Sequence, residues 1–179
     1  METFHEMTIA GLKRQLPLCR VNEHLRIAAF VIFGDVELTV HCAAELLKRA
    51  PEYDYLIAPE AKAIPLLYEM ARQSGANKYF LARKKPKAYM TGVLEVKVQS
   101  ITTAGEQTLV LDTADAEQMR GKRILILDDV ISTGESLHAM EILVERAGGI
   151  IAGRMAILAE GDAAKREDII TLAPLPLFN

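Results

Sequence analysis

Apolar residues at Val36, Val40, Ala43, Ala44 and Leu47 recur at helical spacing, which predicts a helix over Asp35–Lys48 opened by Gly34-Asp35. The run Tyr53–Ala58 reads as a short strand. Ile64, Leu67, Tyr68 and Ala71 share one face of a second helix, stopped by Gly75, and Tyr79–Ala82 reads as another strand. The strongest strand signal is Arg123–Leu127, an apolar run flanked by charge. It leads through Asp128-Asp129 and a turn into a helix with Leu137, Met140, Leu143, Val144 and Ala147 inward and Gly148-Gly149 at its end. Ile150–Leu158 is a further strand, and Ile169–Leu172, before Pro174 and Pro176, an edge strand. Strands alternating with helices are the pattern of an α/β fold with a parallel sheet.

Residues 83–107 break that rhythm. A basic cluster, Arg83, Lys84, Lys85 and Lys87, precedes alternating stretches at Val93–Val98 and Thr108–Leu111. The pattern predicts a flexible β-ribbon or long loop leaving the sheet, an excursion that is usually functional or disordered.

A length of 179 residues fits a single domain. Aromatic residues make up 6% and Trp is absent, so the core is built from Leu, Ile, Val, Ala and Met. The net charge of -3 argues against a general nucleic-acid binder, which needs excess Lys and Arg to displace counterions. Cys19 and Cys42 are too few for a disulfide scaffold and are expected to be buried thiols in a reducing cytosol. Glu2, His5 and Glu6 stand where a signal peptide has its basic region, and Ile27–Phe33 is too short to cross a bilayer. The expectation is a cytoplasmic protein with no membrane partner. His5, His24, His41 and His138 have no metal-ligand spacing.

The chemistry concentrates in Ile124–Ser136, ILILDDVISTGES. A buried strand delivers Asp128 and Asp129 to the carboxyl edge of the sheet, where open α/β sheets bind ligands. Ser132, Thr133 and Gly134 then open a helix whose free N–H groups and dipole favour a phosphate. Carboxylates beside an anion site suit sugar hydroxyls or a divalent cation. A second reading stays open at this point: Ser132-x-x-Glu135 is a capping box, which needs no ligand. Neither a Walker A sequence nor a Gly-x-Gly-x-x-Gly fingerprint is present, which argues against a P-loop kinase or a Rossmann dehydrogenase.

This segment resembles the signature that binds phosphoribosyl pyrophosphate (PRPP) in type I phosphoribosyltransferases: four apolar residues, two acidic, two apolar, a small residue, then Thr-Gly-x-Thr/Ser. The resemblance extends to Glu60-Ala61-Lys62-Ala63-Ile64 at the pyrophosphate loop and to Arg83-Lys84-Lys85-Pro86-Lys87 before the flexible loop. Glu23–Asp35 falls where the family has its hood over the base. The likeness covers most of the chain and is closest to the adenine and xanthine (purine) enzymes. It implies a hood over about residues 1–35, a core over about 36–165 and a C-terminal edge segment over 166–179. The activity implied is transfer of 5-phosphoribosyl from PRPP to a purine base, adenine first and xanthine second, releasing pyrophosphate, with Mg²⁺ and as a homodimer.

In residues, the resemblance implies that Asp128 and Asp129 hold the ribose hydroxyls, directly or through Mg²⁺ waters. Ser132, Thr133, Gly134, Glu135 and Ser136 would cradle the 5′-phosphate. Ala61, Lys62 and Ala63 would contact pyrophosphate, with Arg83, Lys84 and Lys87 adding charge. Val130, Ile131, Phe30 and Phe33 would pack near the base. Two departures stand out: Ala63 where the family usually has Gly, and Glu135 where a second Gly is common. Adenine enzymes also carry a Glu in the flexible loop where this chain has Thr102 or Thr103, so no catalytic acid is carried over. Ala63 and Glu135 keep alive an alternative, a noncatalytic PRPP- or nucleotide-sensing protein of the same fold.

Overall fold

Alternating half-buried positions pair the N-terminal residues into antiparallel hairpins. Strands β1 (Phe4–Ile9), β2 (Leu12–Asn22) and β3 (Leu25–Ala28) form them, and the first turns through Ala10 and Gly11, both at positive φ. The structure is a computed structural model that describes residues 3–99 and 105–178.

Helix α1 (Val36–Arg49) begins where expected, because the Asp35 carboxylate accepts the Leu38 N–H at 3.1 Å. Strand β4 (Tyr55–Pro59), helix α2 (Ile64–Gln73) and strand β5 (Phe80–Ala82) follow. The ribbon is an antiparallel pair, β6 (Val93–Gln99) with β7 (Glu106–Asp112). A short helix, α3 (Thr113–Met119), follows it, capped by the Asp112 carboxylate on the Ala114 N–H at 3.2 Å. The apolar pattern gave no sign of α3, since only Met119 among its residues is buried.

Strand β8 (Arg123–Ile131), helix α4 (Glu135–Arg146), strand β9 (Ile150–Glu160), a 3-10 turn over Gly161–Lys165, strand β10 (Ile170–Leu175) and strand β11 (Leu177–Phe178) complete the chain. The main sheet runs β10-β9-β8-β4-β5 and is parallel throughout, as the alternation requires. The smaller sheet runs β1-β2-β3-β11, so the last strand returns to the N-terminal hairpins.

The pleat of β8 divides the core. Leu125 and Leu127 join the layer of α1 and α2, where Leu38, Leu46, Leu66 and Met70 are buried. Ile124 and Ile126 join the layer of α4 and the ribbon, with Met140, Leu143, Val96 and Leu111. The ribbon therefore packs on the body through its apolar face rather than standing away from it. Two expectations are corrected. Cys42 is buried but Cys19 is exposed on β2, because it lies on the solvent face of a two-sided strand. Strand β8 continues through Asp128 and Asp129, so both carboxylates lie within the sheet edge rather than after it. No helix among the described residues is long and apolar enough to cross a membrane.

Candidate active site

The carboxyl end of β8 brings two carboxylates together. The Asp129 N–H donates to Asp128 Oδ1 at 2.8 Å. Burial, reinforced by the neighbouring Asp129, pushes the Asp128 carboxyl well above the ordinary aspartate range. Asp129 is 4% exposed, and its Oδ2 is buried with no hydrogen-bond partner. The nearest cation is Lys62, with Nζ at 3.5 Å. A buried carboxylate oxygen whose nearest partner is an ammonium at 3.5 Å retains capacity to accept a hydrogen bond, which suits a hydroxyl or a hydrated cation.

The turn after β8 ends in Gly134, at φ 82, which is the N-cap of α4 and makes no side-chain capping bond. Sequence spacing allowed a capping box from Ser132 to Glu135. It does not form, because the helix begins at Glu135 and puts Ser132 outside the cap. The first-turn N–H groups of α4 thus face a small hollow, about 50 Å³, lined by Ser132, Thr133, Gly134, Ser136 and Leu137 with Asp128, Val130 and Ile131. An alanine Cβ at Gly134 would lie 2.8 Å from Arg166 Nη1, so glycine is favoured there chiefly by φ and secondarily by space.

A larger cavity of about 620 Å³ adjoins it and shares Asp128, Val130 and Ser136. One wall is the loop after β4, from Pro59 to Lys62; a second is Lys84; a third is the start of β7, from Glu106 to Leu109. The Ser136 hydroxyl donates to Gln107 Oε1 at 3.4 Å, linking the ribbon to the anion turn. One continuous cleft therefore has cations at one end, carboxylates in the middle and the start of helix α4 at the other, where the Glu135 N–H donates to Thr133 Oγ1 at 3.4 Å.

Most residues singled out from the sequence meet here. Asp128, Asp129, Val130, Ser136, Ala61, Lys62 and Lys84 line the larger cavity, and Ile131, Ser132, Thr133 and Gly134 the smaller. Several do not. Ala63 is buried in the core at 1% exposure, with φ -82, so its side chain meets no ligand and its backbone never needed glycine. Glu135 lines neither hollow. Arg83 bonds Glu60 at the cleft wall but lines a different hollow, and Lys87 does not line the cleft. Phe30 is 5% exposed inside the apolar core, while Phe33 is half exposed on the outer surface. Neither lines the cleft, because the segment before α1 packs against the core instead of arching over it. Thr102 and Thr103 lie outside the described residues.

Sequence reasoning placed Glu60 in the pyrophosphate loop without giving it a role, and missed the ribbon residues Glu106, Gln107, Thr108 and Leu109. The proximity of the ribbon comes from a backbone bridge between Arg83 and Val110, which clamps β7 to the end of β5. Only the alternation at 108–111 hinted at it. Among the described residues, no group of three or more His, Cys, Asp or Glu side chains forms a metal cage.

Comparison with known proteins places this cleft in context. The family model of the phosphoribosyl transferase domain matches residues 39–171. An adenine phosphoribosyltransferase of Petrotoga mobilis is 35% identical over 139 residues, covering 69% of this chain and 73% of that protein. One from Thermosipho africanus is 28% identical over 148 residues, covering 79% and 84%. In fold, the chain matches a crystal structure of adenine phosphoribosyltransferase from Thermoanaerobacter pseudethanolicus with a TM-score of 0.68 at 21% identity, covering 96% of this chain and 95% of that one.

Proposed function

The chain belongs to the phosphoribosyl transferase domain family, and on that premise we propose that it transfers 5-phosphoribosyl from PRPP to adenine, giving the nucleoside monophosphate and pyrophosphate. The observation that carries this reading is the cleft itself. It sets an anion turn at Ser132–Ser136, a carboxylate pair with an orphaned oxygen, and the ammonium groups of Lys62 and Lys84 in the order that PRPP presents its phosphate, ribose and pyrophosphate. Adenine is favoured by the names of the two relatives described above.

In this reading the 5′-phosphate sits on the first-turn N–H groups of α4 and the hydroxyls of Ser132, Thr133 and Ser136. Asp128 and Asp129 accept from the ribose hydroxyls, which gives Asp129 Oδ2 the donor it lacks. The bond from C1′ to the pyrophosphate oxygen breaks as the base nitrogen bonds C1′ and gives up its proton to water, and pyrophosphate leaves with the electron pair. Positive charge grows at C1′ and negative charge on the leaving group, so Lys62 and Lys84 stabilise what develops there. The carboxylate pair fits Mg²⁺ held through water, with the remaining ligands supplied by PRPP. When bound, that ion neutralises the leaving pyrophosphate. Val130 offers an apolar wall for the base.

The sensor alternative loses ground, since Ala63 is unstrained and Glu135, though it opens α4, is not among the residues that line the phosphate hollow. We also propose a homodimer, formed through exposed Val36, Val40 and Tyr68 around a hollow of about 210 Å³ between α1 and α2.

The test is pyrophosphate release from PRPP and Mg²⁺ with adenine, xanthine, hypoxanthine, guanine and orotate in separate assays. Turnover with adenine is expected, falling at least about a hundredfold in Asp128→Asn/Asp129→Asn. Turnover with xanthine alone would reassign the base. PRPP binding without turnover of any base would overturn the enzyme reading.

A further inference from the structure

We propose that Glu60 is a positioning residue, whose carboxylate fastens the Lys84 backbone and so sets the Lys84 side chain in the pyrophosphate end of the cleft. This rests on reading the cleft as a PRPP site. Both Glu60 oxygens are engaged: Oε1 accepts the Lys84 backbone N–H at 2.6 Å, and Oε2 accepts Arg83 Nε at 2.9 Å. The Glu60 N–H in turn donates to the Ala82 carbonyl at 2.9 Å. One residue therefore fastens the loop after β4 to the chain leaving β5 through three bonds.

The two neighbouring cations line different hollows. The side chain of Lys84 lines the large cavity. That of Arg83 lines a different hollow, about 150 Å³, with Tyr79, Tyr89, Met90, Asp112 and Asp115, and its Nη1 donates to the Tyr89 hydroxyl. Burial acts to raise the Glu60 carboxyl, but the Lys84 N–H, Arg83 and the charge of Lys87 outweigh it and hold it below the ordinary glutamate range. Glu60 stays ionised beside a site meant for a polyanion. A bare carboxylate there would repel pyrophosphate. Its retention is explained when its charge is spent on Arg83 and its geometry on Lys84.

Charge arithmetic and positioning predict opposite signs, which makes the inference testable. Glu60→Gln removes a negative charge from the cleft and, by Coulomb attraction alone, would tighten pyrophosphate binding. Positioning predicts weaker binding, on the order of tenfold, because a charge-assisted bond is lost and the new amide donor faces Arg83. Glu60→Asp gives a second arm: the charge is kept but the shorter chain cannot span both partners, so binding again weakens. Calorimetric titration of the full chain with PRPP and with inorganic pyrophosphate, both with Mg²⁺ and at fixed salt, reads these effects without turnover. In a Lys84→Met background the Glu60→Gln effect should vanish, since the two act through one side chain. Unfolding midpoints identify any variant that fails to fold, in which case the other Glu60 variant decides. Unchanged or tighter binding in the folded Glu60 variants would overturn the inference, as would a full effect persisting with Lys84→Met. Failure of the unsubstituted protein to bind PRPP would instead sink the reading of the cleft.

Discussion

At Gly134 the backbone conformation and the surroundings make the same demand. Its φ is 82, and a Cβ there would approach Arg166 Nη1 to 2.8 Å. Arg166 is a flexible, part-exposed side chain paired through Nε and Nη2 with Asp168 at 2.9 and 2.7 Å, so the clash is relieved by moving that pair and the left-handed backbone is the larger demand. Gly134→Ala should therefore cost about 1–2 kcal/mol from the left-handed conformation, with the smaller cost of moving that pair added. The expected outcome is an unfolding midpoint lowered by several degrees together with a raised KM for PRPP. A variant with unchanged midpoint and KM would show that the turn relaxes freely. Ala63 teaches the reverse lesson. Its place in the motif suggested a need for glycine, yet φ -82 is ordinary right-handed backbone. Residue type alone does not reveal φ, and so the two departures from the family pattern looked alike in the sequence while only the structure separates them from the site.

Between elements, α1 and α2 are joined by a polar cluster that predicts an acid response. Glu69 accepts from Arg72 at 2.9 and 2.8 Å and from Gln73 at 2.8 Å, and Gln73 reaches the Val40 carbonyl of α1 at 3.0 Å. Arg72, then Gln73, hold the Glu69 carboxyl down to about 2. Because the folded value lies below the unfolded one, this stabilisation is complete above the ordinary glutamate range and is lost as pH falls through the folded value. Arg72 is half exposed, so solvent screening reduces the contribution to on the order of 1 kcal/mol. Urea midpoints measured between about pH 5 and about pH 3 should fall more steeply for the natural chain than for Glu69→Gln. Parallel slopes would exclude this cluster as a source of acid lability. The same helices were legible in the sequence because their buried residues recur at helical spacing. Helix α3 was not, since it buries only Met119, and β11 was not, since two residues carry no period. The motif gave the carboxylates and the anion turn. The ribbon wall depends on pairing between β7 and the end of β5, and the Glu60 contacts on the pairing of β4 with β5, long-range contacts with no local signature.

For the whole molecule, the two sheets close on each other through the chain ends, as β10 borders the parallel sheet and β11 pairs with β3 of the smaller one. Among the exposed apolar residues, three cluster on one face. Val36 is 74% exposed and Tyr68 56%, and both border the hollow between α1 and α2. Contiguous exposed apolar surface of this kind marks an interaction site. The homodimer proposed above would bury this face, and α2 starts just after the loop that carries Lys62, so such a contact would adjoin the pyrophosphate end of the cleft. Tyr68 itself lies outside the cleft, which makes it a clean probe of coupling. Tyr68→Asp places a charge in the contact and should yield a monomer by light scattering, with the unfolding midpoint of the separated chain still measurable. If the contact supports the cleft, KM for PRPP rises in that monomer while the base KM changes less. An unsubstituted chain that is monomeric at assay concentrations would remove the interface. A monomeric variant with unchanged KM would keep the interface but cut its link to Lys62.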